Sequence, residues 1–464
     1  MRVVVTGAAS AVGREVVAQA HADGHDVVPT CRPGGQQSPL HEPTMVACSL
    51  THPGDSSCSS TGIDIDQLVA GADCVVHLEV CPYINAGVAA GDWLDAATRC
   101  TYNLLGAAAA AGVSRCIVVS AMEVLSGHPS SLEVRPTWKP LPTCEPAQLG
   151  PHLAEFTCRE FARGTDFKVT ILRIGGCARW KTSTSEAVAA IAAELAVPEE
   201  ASTQFSLQPD RFNRFQVRNL LRDDGLRVVH AASETLHATG TVDEADAAIT
   251  THCHRPRSET DADPTPVKRV LLIGAGGMLG PPVANALLNG DIDGSNGSLD
   301  LSLVRITDIG SSPTLRDPDQ VTRSQSTHPL PIESKLLEQA EQLSVGTKTE
   351  YCELNVVDAD AVTAMARDVD AIVACHVLRH HPRHSFDVNV LGTYNTIRAA
   401  AECGHKRFIN TGPGATITGS SLSPTIFDIS ESISPAPGLG LYGFTKGTAV
   451  GVLGCLAAFS LFRF

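Results

Sequence analysis

The sequence predicts an α/β protein made of two tandem, doubly wound, parallel-sheet domains. Three observations carry this prediction: an internal repeat, a glycine-rich turn behind the first strand of each copy, and short β-branched runs alternating with helical stretches.

The repeat is direct. Val3-Val4-Val5-Thr6-Gly7-Ala8-Ala9-Ser10-Ala11-Val12-Gly13 recurs as Val270-Leu271-Leu272-Ile273-Gly274-Ala275-Gly276-Gly277-Met278-Leu279-Gly280. Further on, Thr101-Tyr102-Asn103, Gly112, Arg115 and the run Cys116 to Val119 recur as Thr393-Tyr394-Asn395, Gly404, Arg407 and Phe408 to Thr411. Each copy continues through further strands, among them Asp73 to Leu78 and Asp370 to His376. Strands alternating with helices specify a parallel sheet covered on both faces. Thr239 to Pro266 is rich in Thr, Asp, Pro and charge and reads as a solvated linker, which places the domains at residues 1–238 and 267–464. Gly290 to Asp300 and Ser311 to Lys335 exceed ordinary βα connections and read as surface loops. The second copy ends at Phe464, about where its sixth strand is expected, so it is predicted to be C-terminally short and without a substrate-binding lobe, or a fragment of a larger enzyme.

Composition narrows the partners. The 464 residues suit two domains, and 43% hydrophobic with 18% charged residues is ordinary for a folded chain. Lys and Arg number 35 against 50 Asp and Glu, a formal charge of -15 that repels phosphate backbones, so nucleic acid is not an expected partner. The 15 cysteines are scattered through apolar runs and read as reduced thiols. Met1 leads directly into a strand rather than a secretory signal, so the expected location is cytoplasmic. Gly447 to Phe462 is apolar but short of the roughly 20 residues that span a bilayer, and reads as a buried helix running into a strand rather than a membrane anchor.

The glycine turns supply candidate cofactor-binding residues. A first glycine permits the tight turn, a second lets backbone approach a pyrophosphate, and a third lets helix and strand pack closely, with the helix N-terminus facing the anion. Gly274, Gly277 and Gly280 supply all three in the second copy; Gly7 and Gly13 remain in the first, with Ser10 between them. Ser10 would either crowd a phosphate or hydrogen-bond to it. An acid ending the second strand binds ribose hydroxyls, whereas an Arg there suits a 2'-phosphate. Asp308 therefore predicts NAD in the second domain, and Arg32 leaves NAD or NADP open in the first.

These turns, the Asp73-Cys74-Val75-Val76-His77 strand, the Asn389-Val390-Leu391-Gly392-Thr393 helix and Tyr442-Gly443-Phe444-Thr445-Lys446 resemble the extended short-chain dehydrogenase/reductase superfamily, NAD-dependent epimerase/dehydratase group. The resemblance runs over nearly the whole chain and implies two Rossmann-type domains. It implies that Tyr442 is the general acid/base, that Lys446, one helical turn on, favours its phenolate and holds the nicotinamide ribose, and that Asn389 positions a water and the helix. The expected hydroxyl that polarises the substrate oxygen is Thr411 or Thr416. In the first copy Ala97 stands for the Asn, and Leu149 and Leu153 for the Tyr and Lys, so chemistry is expected only in the second.

The implied activity is NAD(P)-dependent oxidoreduction or epimerisation of a sugar, nucleotide sugar or similar small hydroxy compound by hydride transfer. The competing expectation is a non-catalytic dinucleotide-binding scaffold. Besides a small-molecule substrate, a second copy of the chain in a homo-oligomer is the expected partner. His252-Cys253-His254 and His380-His381-Pro382-Arg383-His384 lack zinc-ligand spacing, so no metal is expected, and Arg379 is a candidate for an anionic substrate group. His152 reads as a structural histidine, and Asn296-Gly297-Ser298 as a turn.

Overall fold

The computed structural model describes the chain except residues 33–44, 52–62, 83–89, 129–133, 135–137, 139, 144, 178–179, 198–214, 223–225, 230–265, 278, 290–300, 310–348, 380, 406, 413–436 and 459–464. The expected linker up to Thr265, both expected surface loops, His252-Cys253-His254 and Thr416 fall outside the described residues. Two compact units form, Met1–Leu236 and His237–Phe464.

The first unit contains β1 (Arg2–Thr6), β2 (Asp26–Cys31), β3 (Val46–Ala47), β4 (Cys74–His77), β5 (Arg115–Ala121), β6 (Lys168–Ile174), a two-stranded ribbon of β7 (Gly176–Cys177) and β8 (Trp180–Lys181), β9 (Phe215–Arg222) and β10 (Leu226–Val229). Its main sheet runs β10-β9-β6-β5-β4-β1-β2-β3, parallel except for the β9–β10 pair. Val3, Val4 and Val5 are all fully buried, as a strand covered on both faces requires. The helix Ala11–Ala22 lays Val12, Val16, Val17 and Ala20, spaced at helical period, on Val3, Val5, Val76 and Ile117 of the sheet. Val5 pairs with Pro29 of β2 on one side and Val76 of β4 on the other. The strand order reverses between β1 and β4, which opens a crevice at their C-terminal ends.

The second unit contains β11 (Arg269–Ile273), β12 (Leu303–Asp308), β13 (Thr349–Glu353), β14 (Ala371–Ala374) and β15 (Arg407–Asn410), ordered β13-β12-β11-β14-β15 and parallel throughout. This is the order of the first five main strands of the first unit, so both sheets are Rossmann-like. Val270, Leu272, Val304, Ile306 and Val373 pack with Ala284 of the helix Gly280–Asn289. The apolar C-terminal segment forms the helix Leu441–Ala458.

The repeated Thr-Tyr-Asn segment does the same structural work in both units. A single π-helical turn, Ala96–Cys100 or Asp387–Leu391, precedes the helix Thr101–Ala110 or Gly392–Glu402. Asn103 Nδ2 then donates to Leu50 O at 3.0 Å, and Asn395 Nδ2 to Val356 O at 3.0 Å. Ten of the described cysteines are free thiols, and among the described residues no helix is long and apolar enough to cross a membrane.

Candidate functional site

The glycine turn of the second unit leaves β11 at Gly274, whose φ of +77° is the left-handed region that only glycine adopts freely. A Cβ there would lie 2.5 Å from the backbone nitrogen of His376, so the turn is pressed against the segment following β14. Gly280 is held as tightly, its Cβ position lying 2.2 Å from Ala275 O. Gly277 is exposed, and its Cβ position meets nothing nearer than Gly274 O at 3.4 Å, leaving open the face from which an anion would approach. Asp308 ends β12, and its carboxylate accepts from Gly276 N at 2.6 Å and from Ile309 N at 2.7 Å. It therefore braces the glycine turn itself. Each carboxylate oxygen retains a lone pair for a hydroxyl.

Across the sheet, the helix Leu441–Ala458 presents half-buried Tyr442 and, one turn on, buried Lys446. Arg379 lies with its guanidinium carbon 5.1 Å from the centre of the Tyr442 ring, a cation–π contact that places the expected anion-binding residue beside the expected acid/base. Lys446 is 1% exposed, and its Nζ donates to His376 O at 3.5 Å. Burial pushes the ammonium down to about 8, against a smaller opposing influence of the Cys375 thiol. Cys375 in turn is pushed upward by burial.

Asn389 stands in the π-turn and is fully buried. Its Oδ1 accepts from Leu378 N at 2.9 Å, while Nδ2 donates to Leu378 O at 2.7 Å and to Thr445 Oγ1 at 2.9 Å. Both amide hydrogens are thus spent on protein oxygens. Asn389 ties the segment after β14 to the helix carrying Tyr442 and Lys446; the expected water is left one lone pair of Oδ1. Thr411, just beyond β15, donates both its N–H, at 3.0 Å, and its hydroxyl, at 3.2 Å, to Ala374 O. In this arrangement its hydroxyl hydrogen is engaged with the backbone.

His376 was not foreseen as a site residue. Burial, with the neighbouring Lys446 ammonium adding to it, pushes its imidazole down to about 3, so the ring is neutral. Thr393 Oγ1 gives its hydrogen to Asn389 O at 2.7 Å, so the 3.3 Å contact to His376 Nε2 is one in which the ring donates. Its Nδ1 is then a buried acceptor without a partner among the described residues. In sequence this histidine resembled any residue closing a strand; its contact to Thr393, 17 residues on, is the distinguishing feature. Among the described residues no three His, Cys, Asp or Glu side chains converge as metal ligands, and His384 instead pairs with Asp387 at 3.0 Å.

The corresponding crevice of the first unit is filled differently. Gly7 has φ +69°, and a Cβ on Gly13 would lie 2.3 Å from Gly7 O. Ser10 turns inward: its hydroxyl donates to Gly7 O at 2.7 Å and accepts from Gly13 N at 3.0 Å, capping the helix Ala11–Ala22. Arg32, after β2, pairs through Nε with Glu79 Oε2 at 2.8 Å. Leu149 and Leu153 are fully buried in the helix Pro146–Gly164. Beside them Ser120 Oγ donates to Glu155 Oε1 at 2.7 Å, and Arg173 clamps the same carboxylate at 2.8 and 2.6 Å, forming a closed buried network. His77, between Thr6 Oγ1 at 2.6 Å and Thr101 Oγ1 at 3.2 Å, is pushed down to about 3 by burial and then by Arg32.

Residues 3–177 match the NAD dependent epimerase/dehydratase family, so the matched stretch lies in the first unit. No curated protein matches the chain. Among solved structures it is similar to MoeE5 in complex with UDP-glucuronic acid and NAD, at 20% identity and TM-score 0.36, covering 49% of this chain and 79% of that one. It is also similar to a short-chain dehydrogenase/reductase superfamily protein from Agrobacterium tumefaciens with bound NAD, at 27% identity and TM-score 0.30, covering 38% and 49%. A multidomain adenylation, ketoreductase and pseudo Asub structure of a keto acid-selecting NRPS module aligns at 12% identity and TM-score 0.50, over 100% of this chain and 33% of that one, a likeness of fold alone.

Proposed function

We propose that the second unit is an NAD(P)-dependent oxidoreductase or epimerase for a sugar, nucleotide sugar or similar small hydroxy compound. On this reading the protein is cytoplasmic, a tandem of domains at residues 1–238 and 267–464, and its first unit binds a dinucleotide without catalysis. The observation that carries the reading is a buried lysine one helical turn from a half-buried tyrosine, on a helix held to the nearby glycine turn's neighbour segment by Asn389.

The second unit's turn fits a dinucleotide: Gly277 is open, while Gly274 and Gly280 close the turn tightly behind it. Gly274, Gly277, Gly280 and Asp308 would hold it, with NAD favoured by the acid at 308. When bound, it supplies the hydride acceptor or donor. Tyr442 Oη moves the proton of the substrate hydroxyl. Lys446, charged below about 8, favours the phenolate electrostatically and holds the ribose. Asn389 fixes the backbone of Leu378, Thr411 borders the substrate oxygen, and Arg379 offers charge to an anionic group on the substrate. In the first unit Gly7, Gly13 and Arg32 form the corresponding cradle, open to NAD or NADP.

Replacing Tyr442 by Phe tests the assignment. Turnover of hydroxy sugars, followed by nicotinamide absorbance, should fall at least about 100-fold while NAD binding to the second unit is retained. Unchanged turnover would overturn it. Leu149 and Leu153 in the first unit favour a second reading, a dinucleotide-binding scaffold, which tight NAD binding without turnover in the unaltered protein would select.

A further inference from the structure

We infer that Glu79 sets the cofactor preference of the first unit by engaging Arg32 and offsetting its charge where a 2'-phosphate would bind. The inference rests on the reading that this unit binds a dinucleotide, and adds a residue to it.

The topology places the pair. In the order β2-β1-β4, Arg32 follows the last residue of β2, Glu79 lies two residues past β4, and Gly7 begins the glycine turn after β1. Strands one apart lie about 4.8 Å from one another, so Arg32 and Glu79 start roughly 10 Å apart and bridge the end of β1 between them. A Cβ on Gly7 would meet Glu79 Cγ and Glu79 N at 3.4 Å each, so the carboxylate side of the bridge rests on the turn itself. The salt bridge is thus a strap across the crevice at the reversal of strand order, where ligands of such sheets bind.

Its chemistry is one-sided. Glu79 is 5% exposed and Arg32 35% exposed, so the acid is fixed in the floor while the guanidinium reaches over it with part of its surface in solvent. Arg32 spends Nε on the carboxylate, so one edge of its guanidinium is turned toward the floor of the crevice. Asp95 and the Cys100 thiol also lie in its electrostatic surroundings, and Asp95 is itself paired with Arg99 at 2.5 Å. An Arg alone at this position would select a 2'-phosphate over a ribose hydroxyl. Glu79 neutralises that charge and presents its own negative charge to the same phosphate, so NADP loses the advantage Arg32 would otherwise give it. The second unit has neutral His376 where the first has Glu79, counting from Asp370 and Asp73, and Asp308 at the end of its second strand.

The test uses the full chain with NAD and NADP, read by hydrogen exchange of peptides spanning Gly7–Val17, which reports the first unit separately from Gly274–Ala284. In the unaltered protein the two cofactors should protect the first peptide with affinities within about threefold of each other. In Glu79→Gln, NADP should bind at least tenfold more tightly than before, with NAD changing less than threefold. In the double variant Glu79→Gln/Arg32→Gln the gain for NADP should vanish. Should Glu79→Gln fold poorly, Glu79→Ala must give the same ordering. Equal gains for both cofactors, or a preserved gain without Arg32, overturns the role of Glu79 while leaving dinucleotide binding intact. No protection of Gly7–Val17 by either cofactor in any variant overturns dinucleotide binding by this unit, and the inference with it.

Discussion

Replacing Lys446 by Met should make the second unit more stable and inactive at once. The ammonium is 1% exposed and titrates near 8 rather than at its ordinary 10.5, because burial penalises the charged form. At roughly 1.4 kcal/mol per tenfold shift in proton affinity, folding the charged lysine costs about 3 kcal/mol. The folded-state value lies below the unfolded one, so the cost is fully present below pH 8 and disappears as pH rises toward 10.5. Between those limits the unfolded chain binds more protons, and stability climbs with pH. Met keeps the length and apolar stem of Lys but carries no charge, and the bond it forfeits, to His376 O at 3.5 Å, is long. The variant should therefore be more stable by up to about 3 kcal/mol at pH 7, and the difference should shrink toward zero by about pH 10.5. All three tryptophans, Trp93, Trp138 and Trp180, are in the first unit, so their fluorescence does not report this transition. Hydrogen exchange of peptides from Gly392–Glu402 across a urea series does. A variant less stable than the original at pH 7, with no convergence at high pH, would refute the reasoning.

Gly274→Ala should destabilise the second unit by at least about 2 kcal/mol in the same assay, since it forces a side chain into φ +77° and against the His376 backbone. Asn389→Ala removes three hydrogen bonds, takes both partners from the half-buried backbone of Leu378, and should cost about 3 kcal/mol with slower turnover. In the first unit, Arg173→Met strands the buried Glu155 carboxylate and should cost about 3 to 5 kcal/mol by tryptophan-monitored unfolding. Adding Glu155→Leu should recover most of that loss.

The features legible in the sequence are those fixed by local backbone demands. Gly7 and Gly274 stand where the chain needs a left-handed turn, Gly13 and Gly280 where helix and turn leave no space for a side chain, and runs such as Val3-Val4-Val5 where a strand is covered on both faces. The spacing of Tyr442 and Lys446 is likewise a property of one helix. What escaped the sequence is set by partners brought together by folding. Arg32 reads as a solvated or phosphate-facing residue until Glu79, 47 positions away, is seen beneath it. The amide of Asn389 is taken up by Leu378 and by Thr445, 56 positions on, which no spacing rule reveals. Asp308 is legible as the acid that ends a strand, whereas its bond to Gly276, 32 positions back, is not. Ser10, between crowding a phosphate and bonding to one, turns instead to its own turn.

The π-helical turn ahead of each Thr-Tyr-Asn helix works like an extra tooth on a gear. An α-helix advances about 100° per residue, so the one additional residue of a π-turn rotates everything beyond it by that angle. Thr101 and Thr393 face their histidines in this rotated setting, as do Asn103 and Asn395 the carbonyls that they bind. Losing one residue from Ala96–Cys100 or Asp387–Leu391 would leave a well-formed helix whose buried face points to the wrong neighbours. Both segments keep the same five-residue π-turn although Ala97 stands in one where Asn389 stands in the other, so the rotation comes from the length of the turn and not from the side chain at that position.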